Sequence, residues 1–236
     1  SSEFLNFEGV KFSKSQGIGI WLPQALAKFS PDAIRFYLTL NGPENKDVTF
    51  RWHDFEQRVN GDLIGNLGNF WHRTLSMVHQ YFQQVPDVSV AEFDSESMTL
   101  MHSIEPAFFT VGECIERGEF RQALAQILAL SQSANGYITQ RQPWQRIKTD
   151  IVGAAETLYV CMQVLDATRR LVAPFLPGAV AKLNTFLEVT DVGWAPGART
   201  IVGMPILKPV ALFEKIDPEV IKAEIALIEQ HAGTAK

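Results

Sequence analysis

Two lysines and two serines stand close together near the start of the chain, in Lys11-Phe12-Ser13-Lys14-Ser15-Gln16-Gly17. Lys11 and Lys14 supply positive charge, while Ser13, Ser15 and the backbone N–H groups supply hydrogen-bond donors, a combination that suits the phosphates of a nucleotide. Because transfer of an adenylyl or phosphoryl group builds up negative charge, a lysine placed there would favour the transition state. Short loops of lysine, serine and glycine are common, however, and composition alone favours a solvated turn.

A second pair of chemically useful residues, Asn69 and Arg73, lies on a long helical pattern that runs from about residue 54 to 82. Residues four positions apart share one helix face. An asparagine presents a donor and an acceptor that can pair with a base edge, and an arginine presents a planar fork that can also stack on bases. For Arg58 and Asp62, on the same side of the helix, a solvated polar face is the better interpretation.

A tryptophan, Trp144, directly follows Pro143, which should end a helix that begins near residue 119. One interpretation is a core residue, as for most tryptophans. The local charge favours exposure instead, because residues 120–149 carry four basic side chains and no acidic one, whereas residues 87–119 carry eight acidic side chains and one basic one. An exposed tryptophan there could stack on an unpaired base.

The elements that must position these residues are mostly helical. Periodic apolar residues predict helices at about 54–82, 96–116, 119–141, 152–173 and 178–187, and Ser30 with Pro31 predicts the start of an earlier one. A last helix should begin at Pro218, capped by Asp217. The sequence therefore predicts a mainly α fold, an antiparallel α-helical bundle preceded by a small mixed α/β connecting segment. The expected zones are 1–51 (loop and connecting segment), 52–187 (bundle) and 188–236 (a tail whose helix folds back).

Composition narrows the class of protein. The chain has 236 residues, 21 Lys+Arg against 26 Asp+Glu, a net charge of −5 and 46% hydrophobic residues. A substantial core can therefore form, and the charge argues against a generally polybasic binder while leaving a local nucleic-acid patch open. Two cysteines, Cys114 and Cys161, provide no disulfide framework, and the five scattered histidines have no metal-ligand spacing. No apolar run reaches the length of a membrane span, which favours a cytoplasmic protein.

Several segments, in the same order along the chain, resemble the methionyl-tRNA synthetase family of class I aminoacyl-tRNA synthetases. Lys11 to Ser15 resembles the family's KMSKS loop, with Phe12 where methionine is usual. The other matching segments are Pro31-Asp32-Ala33-Ile34-Arg35-Phe36-Tyr37-Leu38, Asn41-Gly42-Pro43-Glu44, Phe50-Arg51-Trp52-His53-Asp54-Phe55, Arg58 to Arg73, Gln142-Pro143-Trp144 and Leu212-Phe213-Glu214-Lys215-Ile216. The family's His-Ile-Gly-His type motif and its zinc-bearing insertion have no counterpart here, and the first residue is a serine. We therefore expect a carboxy-terminal part of such an enzyme.

The resemblance implies specific roles for these residues. Lys14 and Lys11 would be catalytic, and both lysines with Ser13 and Ser15 would bind ATP, used with Mg²⁺ in the full-length enzyme. Asn69, Arg73 and Trp144 would bind the anticodon of tRNA(Met). The full-length protein would be a methionine–tRNA ligase, and this chain, without the amino-terminal catalytic domain as its partner, would be inactive alone and would hold no metal.

Two other interpretations remain open at this point. Other class I synthetases, such as those for cysteine, leucine, isoleucine and valine, also follow the loop with helices. A helical protein-interaction module is a different class, which would bind a protein partner with little dependence on salt, whereas binding to tRNA weakens steeply as salt is added.

Overall fold

The computed structural model describes residues 3–8, 13, 19–190, 193–197 and 201–234. Its strands are β1 (Leu5–Phe7) and β2 (Val48–Phe50). Its α-helices are α1 (Leu22–Leu26), α2 (Pro31–Leu40), α3 (Trp52–Arg58), α4 (Asn69–Tyr81), α5 (Ser95–His102), α6 (Ile104–Glu116), α7 (Phe120–Arg141), α8 (Pro143–Arg146), α9 (Ile151–Val172), α10 (Pro177–Leu187) and α11 (Pro218–Thr234). A π-helical segment (Val59–Gly68) joins α3 to α4, and Val90–Glu92 form a 3₁₀ turn. The predicted fold class, mainly α with a small mixed segment, is confirmed.

The small sheet is formed by β1 and β2, which pair in parallel, with Leu5 opposite Val48 and Phe7 opposite Phe50. A parallel pair needs a crossover connection, and α1 and α2 provide it. Phe7 and Phe50 are buried and contact each other with ring centroids 5.9 Å apart. Phe50 also packs edge-on against Trp52 at 5.0 Å, which joins the sheet to the first residue of α3.

Helix α2 begins where the sequence predicts. The Ser30 hydroxyl accepts a hydrogen bond from the Ala33 N–H at 3.2 Å, and Pro31 occupies the first helical position, where its missing N–H costs nothing. Phe36 and Tyr37 are fully buried. The Tyr37 hydroxyl donates to the Asp54 carboxylate at 2.9 Å, so α2 is fixed against α3.

The longest helical element is continuous from Trp52 to Tyr81, but its middle third is the π-helical segment. Gly68 ends that segment in ordinary helical conformation, and the Phe213 ring lies so close that a Cβ at Gly68 would be 2.9 Å from it. Phe213 in turn stacks on Trp71, with ring centroids 6.4 Å apart. The carboxy-terminal tail therefore crosses the long helix at the point where the π turns end.

The bundle is built around α9. Every residue of this helix from Thr157 to Val172 is buried, as expected for a helix surrounded by others. Helices α6 and α7 are joined by a turn of three residues, which makes them antiparallel neighbours, and Gly118 adopts a φ of 74° in that turn. A single hydrophobic cluster extends from Phe7 to Ile221, so the connecting segment, the bundle and the tail share one core.

The connecting segment supplies caps to two bundle helices that have no side-chain cap of their own. Glu44 accepts a hydrogen bond from the Arg121 N–H at the start of α7 at 2.8 Å, and the Arg121 side chain donates to the Gly42 carbonyl at 2.8 Å. Asp32 accepts hydrogen bonds from the backbone N–H groups that begin α10, including that of Ala179. Carboxylates at helix amino termini are favourable both as acceptors and through the helix dipole.

The tail is held by the buried Arg170 and by the side chain of Asn60, which bonds to the tail backbone. Arg170 lies with its guanidinium 4.5 Å from the centre of the Phe108 ring and donates to the Gly197 carbonyl at 2.8 Å. Farther along, Asn60 both donates to the Ile216 carbonyl at 3.0 Å and accepts from its N–H at 2.9 Å. Helix α11 then packs against α3, with Ile221 fully buried.

Candidate nucleic-acid interface

Asn69 and Arg73 occupy the first two turns of α4. Their neighbours Phe70, Trp71 and Leu75 are fully buried, so helical geometry turns Asn69 and Arg73 toward the opposite, accessible side. Asn69 is exposed, and its amide makes no side-chain hydrogen bond to any described residue. The structure therefore places both predicted residues on one accessible face.

Trp144 lies on the one-turn helix α8, immediately after a sharp change of chain direction. Gln142 ends α7 in the left-handed conformation, with φ 47° and ψ 54°, and Pro143 begins α8. The Trp144 ring is half-buried against the edge of the core. Its position is thus intermediate between the two predicted alternatives, a core residue and an exposed platform.

Arg73 connects the two parts of the site. Its guanidinium carbon lies 5.4 Å from the centre of the Trp144 ring, and one of its nitrogens donates to the Thr139 hydroxyl at 3.3 Å. A guanidinium over an indole is attracted by the negative face of the ring. Arg73 is therefore held between α7 and α8 rather than extended into solvent, and Asn69, Arg73 and Trp144 form one continuous surface.

A polar concavity of about 480 Å³ lies between α4 and α7 beside this surface. The long helix contributes Gly65, Asn69 and Arg73 to its lining. Helix α7 contributes Gln132, Asn135, Gly136, Thr139 and Gln140. The contribution of α7 to this surface was not predicted from the sequence. Its signal was the spacing of small and polar residues at 132, 136 and 139–140, which follows a helical face.

An asparagine pair joins the π-helical segment to α7 beside the concavity, and one member, Asn135, lines it. The Asn135 amide donates to the Asn66 backbone carbonyl at 3.0 Å and to the Asn66 side-chain oxygen at 3.1 Å, and Asn66 donates to the Leu128 carbonyl at 2.9 Å. The side-chain oxygen of Asn135 is buried and accepts no hydrogen bond within the described part of the chain. These bonds tie the π-helical segment to α7, and both elements contribute to the lining of the concavity.

Three of the four basic side chains along residues 120–149 are already engaged in hydrogen bonds or ion pairs within the protein. Arg121 is engaged with the connecting segment, as described above. Arg141 forms ion pairs with Asp94 and Glu96, and Arg146 forms one with Asp150. Within the described residues, Lys148 is the only one of the four with neither an ion pair nor a side-chain hydrogen bond. The excess of basic residues in this part of the sequence is therefore not a free cationic patch. It does not by itself favour exposure of Trp144, as the local charge had suggested.

The two aspartates in these pairs are strongly acidic groups. A hydrogen bond from the Ser97 N–H and the Arg141 guanidinium lower the pKa of Asp94 to about 2. The Gly153 N–H and the Arg146 guanidinium likewise lower the pKa of Asp150. Both carboxylates are therefore charged at neutral pH.

The lysine and serine loop is only partly described. Lys11, Lys14 and Ser15 lie outside the described residues, and Ser13 is half-buried. The ATP-binding and catalytic roles of these four residues thus stay predictions. Cys114 and Cys161 are both free and buried, as the sequence indicates, and burial raises the pKa of the Cys161 thiol.

Neither a metal cluster nor a membrane-spanning helix is found in the described ranges. There, no three His, Cys, Asp or Glu side chains come together in a group that could hold a metal ion. Among the same residues, no helix combines the length and the apolar character needed to cross a membrane.

Comparison with known proteins places the chain in a family. Residues 1–75 match a family model described as class I tRNA synthetases (M), and residues 85–234 match one described as the anticodon binding domain of methionyl tRNA ligase. The helical bundle and the two matches thus define a class I aminoacyl-tRNA synthetase segment with its anticodon-binding domain. The chain belongs to the methionyl-tRNA ligase family.

Individual relatives agree with this assignment. A methionine–tRNA ligase of Chloroflexus aggregans is 34% identical over 99% of this chain and 43% of its own length. One of Bacillus cereus (strain 03BB102) is also 34% identical, over 95% of this chain and 40% of its own length. The chain thus spans less than half the length of these relatives.

Solved structures share the fold. Mycobacterium tuberculosis methionyl-tRNA synthetase bound by methionyl-adenylate superposes with a TM-score of 0.82 at 24% identity, over 89% of this chain and 43% of that one. The apo form of the same enzyme gives a TM-score of 0.79 at 26% identity, over 86% and 42%. The arrangement of helices described above is therefore that of known methionyl-tRNA synthetases.

Proposed function

We propose that this chain is the carboxy-terminal part of a methionine–tRNA ligase, and that it binds the anticodon of tRNA(Met) while its lysine and serine loop contributes to ATP-dependent aminoacylation. The observation that carries the proposal is the surface formed by Asn69, Arg73 and Trp144, on a bundle that matches the family's anticodon-binding domain. The reaction would take place in the cytoplasm, where tRNA is charged for translation.

The three side chains have complementary chemistry for unpaired bases. The exposed amide of Asn69 can pair with a base edge. The Trp144 ring can stack on a base, an interaction worth roughly 1–3 kcal/mol. Arg73, already against the indole, can donate to a base or a phosphate without first losing side-chain freedom, because its position is fixed before RNA binds.

The loop would act on the phosphates of ATP. Lys11 and Lys14 would offset the negative charge that builds up as methionine is activated, and Ser13 and Ser15 would hydrogen-bond phosphate oxygens. ATP brings Mg²⁺ as its usual counter-ion, which needs few protein ligands of its own.

The partner of this loop would be the amino-terminal catalytic domain of the same protein. The relatives are more than twice as long as the matched region, which is consistent with such a domain. Leu22 and Leu26 on α1, and Trp21 just before it, are between 42% and 57% exposed and form an apolar surface close in sequence to the loop. Exposed apolar patches of this kind mark contact surfaces.

The experiment is a comparison of Trp144→Ala with the unmodified chain in binding to a synthetic hairpin that carries a CAU anticodon loop. Loss of stacking should weaken binding roughly 5- to 150-fold, which corresponds to about 1–3 kcal/mol. Arg58→Ala is the control, because Arg58 lies on the long helix that carries Asn69 and Arg73 but pairs with Asp54 and Asp62.

Thermal unfolding of the same variants separates recognition from packing. If Trp144 only fills the edge of the core, Trp144→Ala should lower the melting temperature by several degrees and leave the preference for the CAU hairpin unchanged. That result, or equal binding of CAU and unrelated hairpins by the unmodified chain, would refute the anticodon assignment.

A further inference from the structure

Two arginines flank the corner formed by residues 142–144, where the chain turns from α7 into α8 and which carries Trp144. Each arginine pairs with an aspartate that also caps a helix. Asp94 caps α5 by accepting from the Ser97 N–H at 2.9 Å, and its other oxygen pairs with Arg141. Asp150 caps α9 by accepting from the Gly153 N–H at 2.9 Å, and its other oxygen pairs with Arg146. The same arrangement thus occurs twice, three residues before Trp144 and two residues after it.

Both arginines are packed as well as paired. The Arg141 guanidinium lies 5.3 Å from the centre of the Tyr137 ring and donates to the Ser97 hydroxyl at 3.1 Å, and its side chain is only 16% exposed. The Arg146 guanidinium covers Gly153 so closely that a Cβ there would overlap it. Neither guanidinium is therefore a mobile surface charge.

We propose that Asp94, together with Glu96, and Asp150 are specificity-determining residues of this interface, because they withhold Arg141 and Arg146 from RNA phosphates and hold the Trp144 corner in place. This inference rests on the proposed anticodon-binding function. Contacts to phosphates carry no sequence information, whereas contacts to bases do. With both arginines paired, a hairpin gains affinity chiefly by seating its bases against Asn69, Arg73 and Trp144.

Release of the two arginines would change binding in two ways. A freed guanidinium can contact a phosphate of any hairpin without the bases being seated, which strengthens binding that is independent of sequence. The corner would also lose two of its attachments, so the stacking position of Trp144 would be less well fixed. Since specificity is a difference between affinities, both changes reduce it.

The test is the double variant Asp94→Asn/Asp150→Asn, made together with Glu96→Gln because Glu96 also pairs with Arg141 at 3.2 Å. Asparagine caps helices about as well as aspartate, so both caps remain in this triple variant while the negative charges are lost. We expect non-CAU hairpins to bind several-fold more tightly and the preference for CAU to fall by at least the same factor. The slope of log affinity against log salt should become steeper by up to about 1.4, or about 0.7 for each single-strand phosphate contacted.

Two controls make the result specific. Asp62→Asn removes the same charge from a surface ion pair with Arg58, away from the corner, and should leave the salt slope unchanged. Replacing both arginines by glutamine in the triple variant should return the slope to that of the unmodified chain. Asp94→Asn with Glu96→Gln, and Asp150→Asn alone, each with about half the effect, serve if the triple variant does not fold.

The outcomes separate the inference from the proposed function. If the unmodified chain prefers CAU but the triple variant has the same slope and the same preference, the inference is wrong and the function stands. Weaker binding of every hairpin by the triple variant would also overturn it. If the unmodified chain shows no CAU preference, the proposed function fails, and the salt slope alone still shows whether the carboxylates withhold the arginines.

Discussion

At the scale of single residues, the candidate site depends on pairs rather than on isolated side chains. Arg73 is the clearest case, because its role in recognition would come from a position that Trp144 and Thr139 fix in advance. The sequence indicated Asn69, Arg73 and Trp144 through spacing and resemblance. It could not indicate that Arg141 and Arg146 are paired, because their partners Asp94 and Asp150 are specified only by how α5, α7 and α9 pack.

The lowered pKa of Asp94 predicts a pH dependence of stability. The group is charged in the folded protein down to about pH 2 and in the unfolded chain down to its ordinary pKa of 3.8. Its stabilising effect is therefore complete above about pH 4 and is lost as the pH falls toward 2. The free energy of unfolding of Asp94→Asn should be lower than that of the unmodified chain at neutral pH and should converge with it near pH 2.

Denaturant unfolding of both proteins between pH 2 and pH 7 measures this difference. The difference should be small, since half of the Asp94 side chain is exposed to solvent. A difference that is the same at every pH would show that the ion pair with Arg141 does not contribute.

At the scale of elements, the sequence predicted the helices that have a clear apolar period and the helix ends that are marked by proline or a capping residue. Pro143 ends α7 where expected, and Ser30 and Pro31 begin α2. The predicted helix at 96–116 is interrupted at Ser103, which separates α5 from α6. Helix α8 was not predicted, because one turn is too short to show a period.

The π-helical segment also escaped prediction. Val59, Leu63 and Leu67 keep a spacing of four residues that an ordinary α-helix would equally satisfy. Only the tertiary structure reveals the wider turns, which often mark functional sites. Here they include Gly65, in the lining of the concavity, and Asn66, which is hydrogen-bonded to the lining residue Asn135.

Two glycines of this segment should respond in opposite directions to alanine. A Cβ at Gly61 would meet nothing within 4 Å, so Gly61→Ala should raise the free energy of unfolding by up to about 1 kcal/mol through helix propensity. At Gly68 the added methyl would press on the Phe213 ring, so Gly68→Ala should lower the free energy of unfolding by about 1–2 kcal/mol.

Urea denaturation measures both changes. A third variant, which combines Gly68→Ala with Phe213→Ala, tests whether contact with the Phe213 ring causes the loss of stability. Removing the ring should abolish the extra cost of the methyl group. If both glycine variants are stabilised alike, the tail does not press on the long helix as described.

At the scale of the whole molecule, the proposed activity requires more than this chain. The chain alone should catalyse no methionine-dependent exchange between ATP and pyrophosphate, because the relatives it matches are more than twice as long. With an amino-terminal catalytic part restored, exchange should appear, and Lys14→Ala should slow it severely while tRNA affinity stays nearly unchanged. Exchange by the isolated chain, or full activity of the Lys14→Ala enzyme, would contradict the proposal.

The caps that Asp32 and Glu44 place on α10 and α7 bear on how this protein can be recombined with its relatives. A chimera joined near residue 51 would take the acidic caps from one parent and the helix ends from the other, so both caps survive only if the two parents pack these segments alike. Substitution of a helix cap typically costs about 0.5–2 kcal/mol, and two mismatched caps would draw on the few kcal/mol by which an ordinary domain is stable. Transfer of the helical domain into a relative should therefore include the segment from Ser30 onward, so that Asp32 and Glu44 are transferred with the helices that they cap.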